Sequence, residues 1–341
     1  KSLYEQFRSY PGMEAYTKDM SPMDDMFGSA NEPAPPPAAK PEPVEPVITP
    51  PEVPPAPVSG PAPVDHIITD PAALGIGGAM TKVRGNIAAI RILKALDMEQ
   101  RRPTSEERTA LANYVGWGGL KQIFDANSPK YAKEREELRN LLSDDEYAAA
   151  RRSQLDAHYT SAEVVNGMWA AARRLGFTGG RVIESSMGTG NFFGLMPQDI
   201  RARSGLFGIE LDITTGKIAQ ALYPSAAIIS GKGYQEVRVP SNSFDMAIGN
   251  PPFGSQSLFD PDHKSFKSYP IHGFFFAKNL DKLRPGGIAQ MVVSRYLLDS
   301  SDPKAVSLRK LIAKQARFLG AYRLPETAFK ASAGTEVITD V

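Results

Sequence analysis

The 341-residue chain has the length of roughly two domains, and its 39 Lys and Arg against 38 Asp and Glu leave a formal net charge of +1. This balance excludes an acidic solvating tail and a wholly basic nucleic-acid binder, but it permits a local basic groove. Without cysteine there are no disulfides or thiolate zinc sites, and the four histidines lack metal-ligand spacing, so we expect no bound metal ion. No apolar run is long enough to cross a bilayer, so we expect no association with a membrane.

Proline dominates the end of the first 63 residues. Of the 29 prolines in the chain, 14 lie between Pro33 and Pro63, among Ala, Val and Glu with no hydrophobic period. Such a stretch buries too little apolar area to offset the entropy of ordering, and it favours extended polyproline II. We therefore predict a disordered leader over residues 1–63 whose proline-rich part is a semi-rigid spacer.

Residues 64–155 have a helical pattern. Four aliphatic residues recur in three-residue steps, namely Ile87, Ile90, Leu93 and Leu96. The capping-box spacing of a hydroxyl residue and a Glu at Thr104 and again at Ser143 predicts two further helix starts. The segment 114–120 between them is too rich in glycine for a regular element, and we interpret Trp117 within it as a core residue rather than a base-stacking platform.

Beyond this helical region, short apolar strands alternate with helices over residues 156–341. Strands are predicted at 181–185, 206–210, 227–230, 244–249, 288–294, 317–323 and 336–341, and helices at 161–175, 214–222, 271–284 and 304–316. This alternation is typical of an α/β fold in which helices cover both faces of a parallel sheet. Ligands of such sheets bind outside the carboxyl ends of the strands.

A glycine-rich loop after the first strand is the first candidate for ligand binding. Gly188 and Gly190 follow the strand that ends at Glu184, and this spacing lets the backbone approach a ligand and begin a helix. Glu210 ends the next strand, where an acidic side chain accepts hydrogen bonds from ribose hydroxyls. The pattern predicts an adenosine-containing cofactor and leaves a dinucleotide and S-adenosylmethionine both open.

The fourth strand runs into the turn Asn250-Pro251-Pro252-Phe253. The two prolines fix the backbone and leave their carbonyls outside the sheet pairing. The side-chain carbonyl of Asn250 and a rigid main-chain carbonyl beside it could accept both protons of a planar amino group, with Phe253 stacked on the ring that carries it. Since nothing in a nicotinamide enzyme explains this turn, it favours S-adenosylmethionine as the cofactor.

The two motifs together resemble those of the S-adenosylmethionine-dependent N6-adenine DNA methyltransferases. The segment 158–161 ahead of the glycine loop is similar to the cofactor-binding segment of the gamma-type arrangement. Residues from about 80 to 341 resemble the methyltransferase portion of methyltransferase–helicase fusion proteins of bacteriophages and conjugative elements, some of which are anti-restriction factors. The resemblance implies a Rossmann-like class I methyltransferase sheet, methylation of DNA that protects it from restriction, a helicase domain in a longer parent chain, and a bacterial cytoplasmic or virion location.

The resemblance also implies roles for individual residues. The cofactor-binding residues would be Tyr159, Thr160, Glu184, Gly188, Gly190, Glu210 and Leu211. Tyr159 and Thr160 would contact the methionine end of the cofactor, and the next three residues would form the floor of its site. Glu210 would hold the ribose, and Leu211 would flank the adenine of the cofactor. The catalytic residues would be Asn250, Pro251, Pro252 and Phe253, with the first two accepting hydrogen bonds from the N6 amino group and Phe253 stacked on the base.

Two departures from the family pattern leave alternatives open. Ser185 stands where Pro is usual, and the acidic residue expected after the third strand is missing from 231–235, where Gln235 or the following Glu236 could substitute. A catalytically weak or inactive module with a binding or structural role therefore stays open. So do methyltransferases that act on guanine in RNA or on protein glutamine, whereas a nicotinamide-dependent oxidoreductase is the least favoured.

The helical region carries basic residues that could contact DNA phosphates: Arg84, Arg91, Arg101, Arg102, Arg108 and Lys121. The segment 336–341 resembles the start of a late core strand, so we expect a core truncated at its C-terminus. No recognition helix that could contact base edges is evident in the helical region. Phosphate contacts alone give salt-sensitive affinity without sequence preference. We therefore expect weak and unselective DNA binding.

Overall fold

The computed structural model describes residues 64–71, 77–153, 160–325, 328 and 339–341. The predicted leader, Tyr159 and the first half of the predicted strand 336–341 lie outside the described residues. Within the described ranges, no helix is long and apolar enough to span a bilayer, and no group of histidine and carboxylate side chains is arranged to hold a metal ion.

In the helical region ahead of the sheet, two helices begin at the capping boxes that the sequence predicts. The described α-helices of this region are α1 (Ala79–Glu99), α2 (Ser105–Ala112), α3 (Ala132–Leu141) and α4 (Asp144–Arg152). The four aliphatic residues predicted on one face of α1 are all buried, and complete capping boxes open α2 at Thr104 and α4 at Ser143. The sequence did not single out α3, because Leu138 is its one fully buried apolar residue.

Trp117 is a buried core residue, as predicted. Its ring packs edge-on against Tyr114, with centroids 6.4 Å apart, and against Phe124, at 5.4 Å. The core of the helical region continues into the core under one face of the sheet, and the ion pair between Asp97 and Lys217 spans the two regions at 2.8 Å.

A five-stranded parallel sheet forms the centre of the second region. Its strands are β1 (Arg181–Glu184), β2 (Gly205–Glu210), β3 (Ala227–Ser230), β4 (Phe244–Gly249) and β5 (Leu283–Met291). They lie in the order β3-β2-β1-β4-β5, and every pairing is parallel, so all five carboxyl ends lie at one edge. This topology confirms the predicted α/β, Rossmann-like fold.

Helices cover both faces of the sheet because alternate residues of each strand are buried on opposite sides. The helices of this region are α5 (Ala162–Arg174), α6 (Asn191–Gly194), α7 (Gln198–Arg201), α8 (Ile213–Leu222), α9 (Ile271–Lys282), α10 (Tyr296–Asp299) and α11 (Pro303–Gln315). Val182 and Met246 pack in one core with α5 and α8, whereas Ile183 and Ala247 pack in the other with α9 and α11.

Two predicted strands differ from the structure. The strand β5 begins at Leu283, earlier than predicted, because the segment Pro285-Gly-Gly287 forms an irregularity within it rather than a turn before it. After β5 a short strand β6 (Val293–Ser294) pairs antiparallel with β7 (Thr339–Asp340). The prediction of a strand over 317–323 is wrong: only Arg323 makes a bridge, to Asp340, since no described strand lies beside 317–321.

Candidate active site

The predicted site residues that follow β1, β2 and β4 meet at the carboxyl edge of the sheet. Because β1 lies between β2 and β4, Glu184 at the end of β1 is flanked by Glu210 at the end of β2 and by the turn after β4. The hydroxyl of Ser186 donates to the main-chain carbonyl of Asn250 at 3.3 Å. This bond joins the glycine loop directly to the Asn-Pro-Pro-Phe turn.

The glycine loop is folded across the end of β2. Gly188 and Gly190 have φ of +56° and +84°, values that favour glycine. The N–H of Gly188 donates to the carboxylate of Glu210 at 2.8 Å, and a Cβ on Gly190 would lie 2.5 Å from a ring carbon of Tyr223. The loop ends at α6, which begins at Asn191.

Two carboxyl groups at this edge have raised pKa values. Burial, and then the charge of Glu210, raise the pKa of Glu184 well above its usual range, since only 2% of that residue is exposed. Burial also raises the pKa of Glu210 to about 7, although the N–H groups of Asp212 and Gly188 oppose the shift. Among the described residues, Oε2 of Glu184 has no hydrogen-bond partner. Such a pair of carboxyls favours a proton or a cationic ligand beside it.

The Asn-Pro-Pro-Phe turn is backed by a neutral histidine. Pro251 is buried, and Asn250, Pro252 and Phe253 are half-buried. The ring of Phe253 packs edge-on against His272 in the first turn of α9, with centroids 6.2 Å apart. Burial lowers the pKa of His272 to about 4, so its imidazole is uncharged at neutral pH. Phe253 therefore has a fixed neighbour behind it while part of its ring stays exposed.

Two of the remaining predicted cofactor residues, Thr160 and Leu211, lie among the described residues. Thr160 is buried just before α5, whose first turn is capped by the hydroxyl of Ser161. Leu211 follows Glu210 and is 67% exposed, and Ile213 beside it is also exposed. An exposed apolar pair next to the carboxylate of Glu210 could contact the flat face of a base.

Both departures from the family pattern have local structural roles. The hydroxyl of Ser185 accepts a hydrogen bond from the side-chain amide of Asn279 at 3.0 Å. Glu236 accepts from the N–H of Gly233 at 2.6 Å, and a Cβ on Gly233 would lie 2.4 Å from the side-chain amide of Gln235. These two polar side chains thus fold over the loop after β3, where the acidic residue was expected.

Sequence reasoning missed the buried polar residues that support this edge. Asp260, His272, Lys278 and Asn279 are all buried, and all but Asp260 lie on α9. A lysine and an asparagine beside the apolar run of a helix was the only signal in the sequence that could have pointed to them.

Several of the basic residues proposed for phosphate contacts are held by neighbouring acidic residues. Arg84 pairs with Glu134 at 2.9 Å, and Arg101 pairs with Glu107 at 2.6 Å. Arg91 pairs with Glu137. Their charges are therefore compensated within the helical region.

Comparison with known proteins finds similarity that includes the Asn-Pro-Pro-Phe turn and Glu210. Residues 210–328 match the family model of the Eco57I restriction-modification methylase. Over 258 residues the chain is 28% identical to the Defense against restriction protein B of Escherichia phage P1. The aligned residues cover 75% of this chain and 10% of that protein. The chain therefore spans about a tenth of the length of this relative.

Solved structures similar to this chain include two restriction-modification proteins. One is the type I restriction-modification system methyltransferase subunit from Streptococcus thermophilus, with 14% identity, a TM-score of 0.45, and coverage of 75% of this chain and 64% of that chain. Another is the type IIG restriction endonuclease BpuSI, with 11% identity, a TM-score of 0.43, and coverage of 77% and 36%. The family match and the phage relative confirm the predicted resemblance to restriction-modification and anti-restriction methyltransferases, with residues 210–328 as the part that matches the Eco57I restriction-modification methylase model.

Proposed function

We propose that the chain binds S-adenosylmethionine and transfers its methyl group to the N6 amino group of adenine in DNA. The observation that carries this proposal is the direct link between the glycine loop and the Asn-Pro-Pro-Phe turn, through the 3.3 Å bond from Ser186 to Asn250. A donor held by the loop and an amino group held by the turn would be neighbours. The match to a restriction-modification methylase family supports DNA as the substrate.

The carboxyl groups of the site fit a cationic cofactor. S-adenosylmethionine carries a sulfonium and an ammonium, and both would lower the free energy of the buried carboxylates whose pKa values are raised in the free protein. Bound there, it supplies the methyl group on its sulfonium. Glu184 and the two glycines would form its floor, Glu210 would hold the ribose and Leu211 would flank the adenine, with Tyr159 and Thr160 at the methionine end.

The turn would activate the acceptor amine. The lone pair of the adenine N6 is delocalised into the ring, so the amino group is a poor nucleophile. Asn250 and Pro251 would accept hydrogen bonds from its two N–H groups and draw these hydrogens out of the ring plane, while Pro252 keeps the turn rigid. The bent geometry localises the lone pair toward the donor, and the methylated amine then loses one proton to solvent. Phe253, fixed from behind by His272, would stack on the base and offset part of the few kcal/mol needed to extrude it from a duplex.

We further infer a role in protecting phage or mobile-element DNA from restriction, which rests on the similarity to a defence-against-restriction protein. The sequence resemblance implies a helicase domain in a longer parent chain, and the proposal includes it, since that relative is about ten times longer than the matched segment. The competing function is that of a catalytically weak or inactive methyltransferase-fold module with a binding or structural role. It is favoured by the loop after β3, where Glu236 is engaged with Gly233.

Calorimetry with S-adenosylmethionine and a methyl-transfer assay on Asn250→Ala test the proposal. We expect the variant to bind the cofactor within a few fold of wild type and to lose transfer, because Asn250 acts on the acceptor and not the donor. Asn140→Ala, an exposed position in α3, is the matched control and should behave as wild type. Near-normal turnover of Asn250→Ala would refute the role of the turn, and a wild-type chain that does not bind the cofactor would leave the binding module as the function.

A further inference from the structure

The buried polar residues around α9 form a cluster that the proposed mechanism does not use. Lys278 is 2% exposed and Asp260, in the segment after the Asn-Pro-Pro-Phe turn, is 1% exposed. Burial of a charged side chain is unfavourable unless hydrogen bonds and an opposite charge compensate it. The contacts of these residues therefore show what holds them in place.

Lys278 uses its ammonium to join two segments of the chain. It donates to Oδ2 of Asp260 at 2.7 Å, to the carbonyl of Tyr234 at 2.6 Å and to the carbonyl of Val237 at 3.1 Å. An ammonium has three N–H donors, so all of them are used. One helix residue thus ties the segment after the turn to the loop after β3.

Asp260 is the centre of a second set of contacts. Its carboxylate accepts from the N–H of Asp262 at 2.9 Å and lies 3.1 Å from Nδ1 of His263, whose Nε2 lies 3.1 Å from Asp281 on α9. Burial alone would raise the pKa of Asp260, but the hydrogen bond from Lys278 and its charge hold that pKa below its usual value. The segment after the turn is thereby fastened to α9 by a charged carboxylate.

Asn279, next to Lys278, extends the connection to the first strand. It accepts a hydrogen bond from the hydroxyl of Tyr234 at 2.9 Å and donates to Ser185 at 3.0 Å, one residue after Glu184. The segments that follow β1, β3 and β4 are therefore all bonded to two consecutive residues of one helix.

We propose that Lys278 and Asp260 are positioning residues for methyl transfer, which fix the distance between the Asn-Pro-Pro-Phe turn and the edge that holds the cofactor. This inference rests on the proposed function. A buried ion pair adds little stability compared with apolar residues of similar size, whereas its directional bonds fix geometry. A displacement of about 1 Å between reacting groups lowers the rate by on the order of 100-fold.

The double variant Lys278→Met/Asp260→Leu tests the proposal, because it removes both charges and leaves neither unpaired. We expect it to bind S-adenosylmethionine within about threefold of wild type and to lose kcat on the order of 100-fold. The control Lys94→Met/Glu146→Gln removes the ion pair between α1 and α4, at 2.7 Å, and retains a capping-box residue at position 146, so its kcat should be that of wild type.

Asp260→Asn keeps the test decisive if the double variant does not fold. A neutral amide bonds more weakly to Lys278 and leaves its buried charge uncompensated, so we expect the melting temperature to fall. In the folded variant, we expect kcat to fall roughly tenfold with an unchanged cofactor affinity. The proposal is overturned if a variant assayed well below its melting temperature keeps the wild-type kcat, or if its cofactor affinity falls by as large a factor as its kcat. The two failures can be told apart. If the wild-type chain transfers methyl groups and a folded variant does so equally well, only this inference fails. If the wild-type chain binds the cofactor without transferring methyl groups, the proposed function fails as well.

Discussion

The titration of Glu210 predicts that the affinity for S-adenosylmethionine depends on pH. Burial raises the pKa of this carboxyl to about 7 in the free protein, so much of it is protonated below neutrality. Ribose hydroxyls that donate to a carboxylate require the ionised form, and the cationic cofactor favours it as well. Binding below pH 7 must therefore displace a proton.

The magnitude follows from that pKa. Each pH unit below about 7 lowers the affinity by up to tenfold, or about 1.4 kcal/mol, which gives a loss of roughly 25-fold between pH 7.5 and 5.5. The same shift has the opposite sign for stability of the free protein. Protonated Glu210 contributes up to about 3 kcal/mol to the free energy of unfolding below its unfolded pKa of 4.5. This contribution is lost as the pH rises through the folded pKa of about 7.

Isothermal titration calorimetry at pH 5.5, 6.5 and 7.5 measures this dependence, and buffers of different ionisation enthalpy count the protons released. Glu210→Gln is the diagnostic variant. It should bind more weakly at pH 7.5, because each hydrogen bond to a charged acceptor contributes about 1.5–3 kcal/mol. Its affinity should also depend less steeply on pH, because only Glu184 is left to release a proton on binding. The reasoning is refuted if the wild-type affinity is constant across this range, or if Glu210→Gln retains the wild-type slope.

Three further predictions follow from described contacts. Gly190→Ala should lower both cofactor affinity and melting temperature, because φ is +84° and the added Cβ would lie 2.5 Å from Tyr223; calorimetry showing neither change would contradict the loop geometry. Trp117→Ala should lower the free energy of unfolding by about 3–5 kcal/mol in urea titrations, since it empties a packed core position, and a loss under 1 kcal/mol would refute that placement. DNA binding by this chain, measured by fluorescence anisotropy, should be weak, lost in moderate salt and independent of sequence; nanomolar, sequence-selective binding at physiological salt would show a recognition surface within these residues.

The sheet could be predicted because its signals are local. Each of the first four strands is a short apolar run bounded by polar or turn residues, and the helices α2 and α4 begin at capping boxes that involve four consecutive residues. The strand prediction at 317–323 failed because a strand also needs a neighbour, which the described structure provides only beside residues 322–324. Conversely, β5 includes the Pro285-Gly-Gly287 segment because pairing with β4 continues on both sides of it.

The site could be predicted in part for the same reason. The glycine loop and the Asn-Pro-Pro-Phe turn are short motifs, and their placement at neighbouring strand ends follows from the order of the elements. The cluster around Lys278 could not be predicted, because its partners Tyr234 and Asp260 lie 44 and 18 positions away and only the packed structure buries them together. The two hydrogen bonds that Glu210 accepts from backbone N–H groups likewise form only when the loop is folded.

The most direct test of the proposed function is analysis of the methylated nucleoside. The chain is incubated with unmethylated single- and double-stranded DNA and S-adenosylmethionine labelled in its methyl group, and the DNA is then digested to nucleosides and separated by chromatography with mass detection. We expect the label in N6-methyldeoxyadenosine, and none in DNA treated with Asn250→Ala. Label in another nucleoside, or no transfer by a wild-type chain that binds the cofactor, would contradict the assignment of this site as an adenine N6-methyltransferase.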